Sequence, residues 1–383
     1  MHRILPALVL TCACATALAD GPRARDLGVP FDGTPGPLNA ITDVAGVTVG
    51  QVTLIQDLAD GHKVRTGVTA ILPRGRGTIE TPCYAGWFAL NGNGEMTGAA
   101  WLEESGILNG PVMLTNTHSV GVVRDAVIAW RVRAGPADQF GYWWSSLPVV
   151  AETWDGDLND INGFHVRPEH VDRALDTARA GPVAEGNVGA GTGTICHEFK
   201  CGIGTASRRL QVAGRGYTLG VLVQANYGVR ETLRIAGVPV GQQLPVDRDG
   251  KPPRGDTGSI IIVVATDAPL LPHQMKRIAR RASLGLARMG SYSGDGSGDL
   301  FVAFSTANAA AVGSAELVQS TSLRNDLLDG LFAATVQATE EAIVNSMVAA
   351  RDMQGTEGHF ARALPHDELV RLLKRYGRYT PRH

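Results

Sequence analysis

An apolar run of seven residues, 259–265, is the feature that most constrains the fold of this chain. Its isoleucines and valines follow one another without polar alternation, which is typical of a strand inside a core. The run begins with Ser259, directly after Gly258, so a serine stands where the chain enters the buried strand. The sequence therefore predicts a core strand with a hydroxyl at its entrance.

The junction between Gly258 and Ser259 has two interpretations. In the first it is a loop that enters a core strand. In the second the chain cuts itself between the two residues and frees Ser259 as an N-terminal nucleophile, the arrangement of a two-subunit amide hydrolase. The preceding residues, 234–258, hold four prolines together with glycines and charges, which break regular structure. We therefore predict a surface loop there, where a chain tolerates cutting.

Composition and charge exclude several function classes. The formal net charge is -2 and no basic block appears, so nothing favours nucleic acid or an anionic membrane as a partner. The 47 glycines follow no period of three, which excludes collagen and indicates many tight turns. We expect a soluble globular protein.

Residues 1–19 have the features of a secretory signal peptide. Arg3 supplies a positive charge, residues 4–19 are apolar but short for a membrane span, and Ala17-Leu18-Ala19 fits a cleavage site. We expect a mature chain that begins at Asp20. Since no second apolar span follows, this chain would be periplasmic or secreted.

Short apolar runs and glycine-rich turns alternate with amphipathic stretches along the mature chain. The runs predict strands, and stretches with apolar residues at helical spacing predict helices. The predicted strands are residues 47–54, 67–73, 111–116, 217–224, 259–266 and 300–305. The predicted helices are residues 120–134, 273–289, about 323–351, and 367–376. Strands followed by long helices favour an α+β layered domain.

Three cysteines remain after the signal segment: Cys83, Cys196 and Cys201. The last two could form a disulfide across a short loop in an oxidising compartment, or they could be small buried thiols. His197 beside Cys196 offers too few ligands for zinc, which takes three or four. We expect no metal site.

A serine hydroxyl needs a base beside it to act as a nucleophile. The chain has ten histidines but no G-x-S-x-G elbow. An N-terminal serine carries its own base, because an α-amine has a pKa of roughly 7.7–8.0 and takes up a proton near working pH. Ser259 would gain such an amine by a cut after Gly258. We interpret the glycine as a residue that accepts strained dihedrals and leaves its carbonyl unshielded.

Two further stretches carry polar groups that would serve a nucleophile at Ser259. Ser297 and Asp299 lie two residues apart and would share one face of an extended strand, so that Asp299 orients Ser297. The alternative is a polar glycine turn. Asn226, which follows a predicted strand, could donate to an oxyanion or could simply close a turn.

A third stretch holds a carboxylate beside an indole. Glu152 and Trp154 could bind a substrate ammonium through charge and cation–π attraction. The alternative is an ordinary solvated acidic loop.

Taken together and in order, these stretches resemble one family: the autocatalytic N-terminal-serine aminopeptidases typified by L-aminopeptidase/D-esterase and the β-peptidyl aminopeptidases. The resemblance is carried by residues 39–50 (NAITDVAGVTVG), 91–98 (NGNGEMTG), 114–117 (LTNT), 202–208 (GIGTASR), 258–261 (GSII) and 303–308 (AFSTAN). It implies a four-layer αββα sandwich with two central β-sheets, an N-terminal-nucleophile-like architecture. It also implies cleavage before Ser259 into an α chain, residues 20–258, and a β chain, residues 259–383, which stay together in one compact domain.

The resemblance implies roles for four of the polar residues. Ser259 matches the nucleophile, and Asn226 matches an oxyanion-hole donor. Ser297 matches the supporting serine, and Asp299 falls where members often carry glutamate, which is one methylene longer.

The resemblance also bears on Trp154 and Glu152. Trp154 falls where some members have a tyrosine whose hydroxyl helps to stabilise the oxyanion. An indole N–H donates a hydrogen bond but is not an acid of similar pKa, so we expect a shifted substrate preference. Glu152 is the candidate partner of the substrate ammonium, which would explain a requirement for a free N-terminus.

We therefore expect an exported, self-processing aminopeptidase that releases N-terminal amino acids from short peptides, amides or esters. It would need no metal or organic cofactor, and the resemblance suggests a homo-oligomer of αβ units. One alternative is an acyltransferase of the ornithine-acetyltransferase type, but such enzymes use threonine at the new N-terminus and act in the cytoplasm. The other is a non-catalytic sandwich protein that is never cut.

Overall fold

The structure is a computed structural model that describes residues 21–77, 81–134, 147–246, 255–312 and 316–381. The strands in this part of the chain are β1 (Thr48–Asp57), β2 (Lys63–Arg76), β3 (Cys83–Gly92), β4 (Ile107–Leu108), β5 (Val112–Asn116), β6 (Val149–Thr153), β7 (Ile195–Cys196), β8 (Phe199–Lys200), β9 (Ile203–Val212), β10 (Arg215–Asn226), β11 (Ser259–Thr266), β12 (Gly298–Ser305), β13 (Met353–Gln354) and β14 (Phe360–Ala361). The helices are α1 (Ala99–Ser105), α2 (Val120–Ala134), α3 (Pro168–Asp176), α4 (Val240–Gln243), α5 (Pro272–Arg288), α6 (Asp329–Val348) and α7 (His366–Arg375). None of these helices has both the length and the apolar character needed to cross a bilayer. The predicted signal peptide, residues 1–19, lies outside the described residues.

Two β-sheets form the centre of the molecule. One has four strands in the order β1–β2–β5–β6, and the other has six in the order β4–β3–β12–β11–β10–β9. Two short ribbons, β7–β8 and β13–β14, lie outside these sheets. Within the six-stranded sheet β11 runs antiparallel to β10 and parallel to β12. The apolar run that begins at Ser259 is therefore a central strand, as its composition predicts.

The side chains of β11 alternate between two cores. Ile260, Ile262 and Val264 belong to the core formed with α5 and α6. Ile261 and Val263 belong to the core between the two sheets. On the far side of the four-stranded sheet, α2 and α3 complete a third core. The order helix, sheet, sheet, helix confirms the predicted α+β fold, a four-layer αββα sandwich, and explains why β11 shows no polar alternation.

The strands and helices predicted from periodicity are all present, with small differences at their ends. The largest difference is in α6, which begins at Asp329 rather than near position 323. Strands β3, β6 and β9 were not predicted. In β9 the reason is Arg208, which is buried and forms an ion pair with Glu341 of α6 at 2.7 Å. A buried arginine is tolerated when its charge is paired, but it hides the apolar pattern of the strand.

The prediction of a surface loop over residues 234–258 is wrong for its first part. This part contains α4, and Ile235, Val238 and Val240 are buried in the core under the six-stranded sheet. Residues 247–254 lie outside the described residues. The prolines do interrupt regular structure, but the apolar residues between them pack inward.

Cys196 and Cys201 form a disulfide, with their Cα atoms 5.6 Å apart. Both residues are buried, and the bond closes the β7–β8 hairpin. Cys83 is buried and free. Of the two possibilities that the sequence left open, the structure therefore has the disulfide.

The close contact between β9 and α6 predicts where the fold is most sensitive to substitution. A Cβ at Gly204 of β9 would lie 2.0 Å from the carbonyl oxygen of Ala342 on α6. We expect Gly204→Ala to lower the free energy of unfolding by roughly 1–3 kcal/mol, because the helix must move off the sheet. Denaturant unfolding measures this change.

Gly330→Ala provides the matched control within α6. Gly330 is exposed, and the nearest atom to a Cβ there would be 3.5 Å away. The unfolding free energy should change by less than about 1 kcal/mol, with a tendency towards stabilisation. Equal destabilisation by the two substitutions would contradict the packing described.

Candidate active site

The polar residues singled out by the sequence meet at one edge of the six-stranded sheet. Ser259 is the first residue of β11, and it pairs with Asn226, the last residue of β10, and with Gly298, the first residue of β12. Ser297 and Asp299 flank Gly298. Because β10 ends where the parallel strands β11 and β12 begin, residues far apart in the chain lie side by side. Ser259 itself is only 5% exposed.

A cleft of about 450 Å³ opens over Ser259. Both sheets contribute to it, since Glu152 comes from β6 and Ser259 from β11. It is lined by residues 92–95 and 257–259 together with Thr117, Glu152, Trp154 and Gly296. The predicted nucleophile and the two predicted substrate-binding residues therefore share one cleft.

The pair Ser297 and Asp299 forms a buried hydrogen bond. Ser297 Oγ donates to Asp299 Oδ1 at 2.8 Å, so the shorter aspartate reaches the supporting serine. The hydroxyl of Ser293 donates to the other carboxylate oxygen. Burial raises the pKa of Asp299; hydrogen bonds from Ser293 and Ser297 offset part of this, and the charge of Asp256 adds to it. The predicted orientation of Ser297 by Asp299 is present.

The amide of Asn226 has a defined orientation. Its Oδ1 accepts a hydrogen bond from the backbone N–H of Ile195 at 2.9 Å. Its Nδ2 has no acceptor among the described residues, and the residue is 7% exposed. Asn226 lies in the ladder opposite Ser259 rather than in a turn, so the turn-closing alternative is wrong. The amide has a free donor beside the serine.

Glu152 is buried at the end of β6. Its Oε1 accepts from the backbone N–H of Glu95 at 3.0 Å, and its Oε2 accepts from the hydroxyl of Thr117. Burial raises the pKa of the carboxyl, while these hydrogen bonds and the nearby His118 partly offset the effect. The alternative of a solvated acidic loop is therefore wrong. A fixed carboxylate in a cleft is suited to bind a cation.

Trp154 is fixed in place although it is 40% exposed. Its ring lies against the backbone of Gly156, where a Cβ would be only 2.4 Å from a ring carbon. It forms a T-shaped pair with His118, with ring centroids 5.8 Å apart, and His118 in turn stacks on Phe164 at 5.9 Å. Trp154 therefore presents a firm aromatic surface at the mouth of the cleft.

Gly258 is required for space rather than for unusual dihedrals. Its φ lies outside the left-handed region, so the interpretation as a strained glycine is wrong. A Cβ at this position would lie 2.0 Å from the backbone oxygen of Asn226. The carbonyl oxygen of Gly258 accepts a hydrogen bond from the N–H of Gly298 at 2.9 Å. The peptide bond before Ser259 is therefore closely packed, and its carbonyl oxygen already accepts a hydrogen bond.

Residues 91–98 belong to the stretches that carry the family resemblance, but no role was predicted for this loop, which covers Ser297. Asn93 Nδ2 donates to the carbonyl oxygen of Gly296 at 2.7 Å. The backbone N–H of Asn93 donates to the carbonyl oxygen of Ser297 at 3.3 Å. Alternating asparagine and glycine at positions 91–94 is the only local signal, and it predicts no more than a tight turn. Thr117, which donates a hydrogen bond to Glu152, lies in the stretch 114–117 of the resemblance, but no role in the site was predicted for it either.

Two ionisable side chains near the cleft, Asp155 and Lys200, are fully buried. Lys200 donates to the carbonyl oxygen of Thr194 at 2.9 Å. Burial lowers the pKa of Lys200 to about 7, although the negative charge of Asp155 raises it in part. Asp155 accepts from Asn159 Nδ2 at 3.0 Å, and burial raises its pKa to about 7. In the part of the chain that the structure describes, no three His, Cys, Asp or Glu side chains are grouped to hold a metal ion.

Known proteins resemble this chain over most of its length. The sequence matches peptidase family S58 over residues 39–361. It is similar to the beta-peptidyl aminopeptidase BapA of Sphingosinicella microcystinivorans, with 54% identity over 400 residues that cover 99% of each chain. Among solved structures it is similar to a Burkholderia sp. beta-aminopeptidase, with a TM-score of 0.84 and 50% identity over 93% of this chain and 99% of that one. It is also similar to the L-aminopeptidase D-Ala-esterase/amidase from Ochrobactrum anthropi, a variant of the Ntn-hydrolase fold, with a TM-score of 0.86 and 48% identity over 94% of this chain and 100% of that one.

The burial of Lys200 predicts a pH dependence of stability. Its pKa is about 7 in the folded protein and returns to the usual 10.5 on unfolding. Between these two values the unfolded chain binds more protons, so this lysine makes the free energy of unfolding rise with pH. Lys200→Met should remove that rise, as measured by denaturant midpoints from about pH 7 to 10.

Lys276→Met is the matched control, because Lys276 is 41% exposed on α5. The rise in unfolding free energy should persist in this variant. A rise of unchanged size in the Lys200→Met protein would contradict the assignment to Lys200.

Proposed function

The chain belongs to peptidase family S58 and is a hydrolase of the aminopeptidase type, and on this basis we propose that it makes its own catalytic group by cutting the bond between Gly258 and Ser259. The prediction of an aminopeptidase is confirmed, and it is preferred to the two alternatives, an acyltransferase and a non-catalytic sandwich protein. One observation carries the proposal of self-cleavage. Ser259 begins a buried central strand beside Asn226, and the carbonyl before it is held by the N–H of Gly298.

Self-cleavage proceeds by a shift from amide to ester. Ser259 Oγ attacks the carbonyl carbon of Gly258, the C–N bond breaks, and the nitrogen takes up the hydroxyl proton as the new α-amine. Water then hydrolyses the ester, which leaves a carboxylate on Gly258 and restores the hydroxyl. The N–H of Gly298 supports this step because it donates to the oxygen on which charge develops. The products are the α chain, residues 20–258, and the β chain, residues 259–383.

Turnover then uses the amine that self-cleavage creates. The α-amine of Ser259 takes the hydroxyl proton, and Oγ attacks the scissile carbonyl of the substrate. The scissile bond then breaks, and the amine or alcohol of the substrate leaves with the proton that the α-amine returns to it, so that the acyl group stays on Oγ as an ester. Asn226 Nδ2 donates to the oxyanion, which is consistent with its lack of another acceptor among the described residues. Ser297, oriented by Asp299, hydrogen-bonds the amine or hydroxyl of Ser259 and tunes its basicity. Water releases the acyl group and regenerates the free amine and hydroxyl.

The substrates proposed are short peptides, amides or esters with a free N-terminus. Glu152 binds the substrate ammonium, which fits its buried position and its orientation by Thr117. Trp154 forms the neighbouring wall of the cleft. We include β-amino acyl groups among the substrates, because two relatives, 54% and 46% identical, are described as beta-peptidyl aminopeptidases.

We also propose export and assembly. Removal of residues 1–19 would deliver the chain to the periplasm or the exterior, and a disulfide between Cys196 and Cys201 suits an oxidising compartment. The family resemblance supports a homo-oligomer of αβ units.

Ser259→Ala tests self-cleavage. Without the hydroxyl there is no attack on Gly258, so the purified variant should give one full-length band on a denaturing gel and no hydrolysis of aminoacyl-nitroanilides. The unaltered protein should give two bands, with an N-terminal sequence in the smaller one that begins at Ser259. Ser283→Ala, on α5 and away from the cleft, should process and hydrolyse normally. Two fragments from the Ser259→Ala protein would reject the proposal.

Glu152→Gln tests recognition of the ammonium. Loss of one charge-assisted contact should raise KM roughly 10–100-fold with a smaller change in kcat. The matched control is Glu95→Gln, which removes the same charge from an exposed residue of the same cleft and should have a much weaker effect. Steady-state kinetics on an aminoacyl-nitroanilide measure KM and kcat of both variants. Equal changes in KM would show that Glu152 does not bind the substrate ammonium.

A further inference from the structure

The β7–β8 hairpin has a conformation that its own sequence does not favour. Its two loop residues, His197 and Glu198, both have positive φ, 46° and 59°. Two-residue hairpin loops with this geometry are type I′ turns, which prefer asparagine and glycine. A histidine and a glutamate in these positions are strained, because a left-handed conformation brings Cβ close to the following carbonyl oxygen. Strain of this kind persists only where the surrounding structure enforces it, and it is often found at functional sites.

Three constraints enforce the hairpin. The disulfide between Cys196 and Cys201 closes it. The backbone N–H of His197 donates to the carbonyl oxygen of Tyr227 at 2.7 Å. Arg230 Nε donates to the carbonyl oxygen of His197 at 2.7 Å. Two of these partners lie after β10, Tyr227 as the next residue and Arg230 at the start of the 3-10 helix that follows, so the hairpin is tied to the segment that leaves the active site.

The constrained hairpin holds one backbone N–H, that of Ile195, beside Asn226. The N–H of Ile195 points at Asn226 and donates to Oδ1 at 2.9 Å. This contact determines which way the amide faces, because an amide whose oxygen is held must direct its nitrogen away from the hairpin. The second end of the hairpin is anchored next to Asn226 as well, since the carbonyl oxygen of Gly202 accepts from the N–H of Ala225 at 3.1 Å.

We propose that the disulfide-closed hairpin is a positioning element of the oxyanion site, in which Cys196 and Cys201 hold the Ile195 N–H against Asn226 and so direct Nδ2 at the reacting carbonyl. The inference rests on the proposed function, in which Asn226 is the oxyanion donor. The hairpin residues touch no reacting atom, and their effect on catalysis passes through Asn226 alone.

The first experiment removes the disulfide. Cys196→Ala combined with Cys201→Ala should lower kcat on an aminoacyl-nitroanilide about 10-fold, a fraction of the 10²–10³ that a lost oxyanion donor costs. KM should stay within about twofold, because Glu152 is unaffected. Rates are expressed per processed molecule, counted from the two bands on a gel. Cys83→Ala, which removes a buried free thiol, should leave kcat unchanged.

A purely structural role would give a different result. It would lower the melting temperature of the cysteine-free variant while kcat per processed molecule stayed at the level of the unaltered protein. That outcome would overturn the proposal.

The second experiment is a double-mutant cycle with Asn226→Ala. Because the hairpin acts through Asn226, removing the disulfide in the Asn226→Ala protein should lower kcat no further. A disulfide effect of the same factor in both backgrounds would overturn the inference and leave the proposed function intact. An Asn226→Ala protein with normal kcat would instead overturn the oxyanion role itself. Where Asn226→Ala slows self-cleavage without stopping it, the same cycle is also measured on the rate of processing.

A substitution at Ile195 keeps the test decisive if the cysteine-free chain does not fold. Ile195→Pro retains the disulfide but removes the N–H, and it should lower kcat about as much, whereas Ile195→Val should not. Unchanged kcat in Ile195→Pro would overturn the proposal. In a folded cysteine-free protein, Glu198→Gly should restore part of kcat, because glycine adopts positive φ without strain. No restoration would overturn the proposal that the disulfide acts by enforcing the strained turn.

Discussion

The pairing of β11 between β10 and β12 is the interaction on which the rest of the structure depends. It buries a strand that is apolar on both faces, and it joins the helix-covered core to the core between the sheets. The same pairing determines what surrounds Ser259, because one ladder neighbour is Asn226 and the other is Gly298. Stability and chemistry therefore rest on the same hydrogen bonds. A slip of one residue would turn every side chain of β11 to the opposite face and would separate the serine from its partners.

Periodicity predicts an α+β layered domain, because most strands and helices of this chain bury continuous apolar faces, while the four-layer order was implied by the family resemblance. It was not sufficient for β9, where Arg208 is neutralised by a distant glutamate, nor for residues 234–246, where apolar side chains lie among prolines. Both failures have one physical cause. Whether a residue is buried depends on a partner or a neighbour that is remote in the sequence.

The site, too, has features that local sequence predicts and features that depend on residues remote in the chain. The polar side chains were identified from local pattern and family resemblance, but their convergence depends on strand register, which the sequence does not specify. Residues that act through the backbone were missed, since an N–H such as that of Ile195 is present in every amino acid except proline. The role of Gly258 was misjudged because crowding by Asn226 is a property of the fold. Buried charges at Glu152 and Asp299 break the ordinary rule for polar residues, as functional sites commonly do.

The strand order of the six-stranded sheet has a consequence for assembly. β11 and β12 lie between β10 and β3, so a cut before Ser259 would leave the two central strands on one chain and the strands on either side on the other. The intact chain brings these strands together within one molecule, where loop closure becomes only slowly harder with length. Separate chains would have to meet by diffusion, at a rate that depends on their concentration. The cut protein would thus be a product of its precursor's folding pathway, and its lifetime would be governed by how slowly it unfolds.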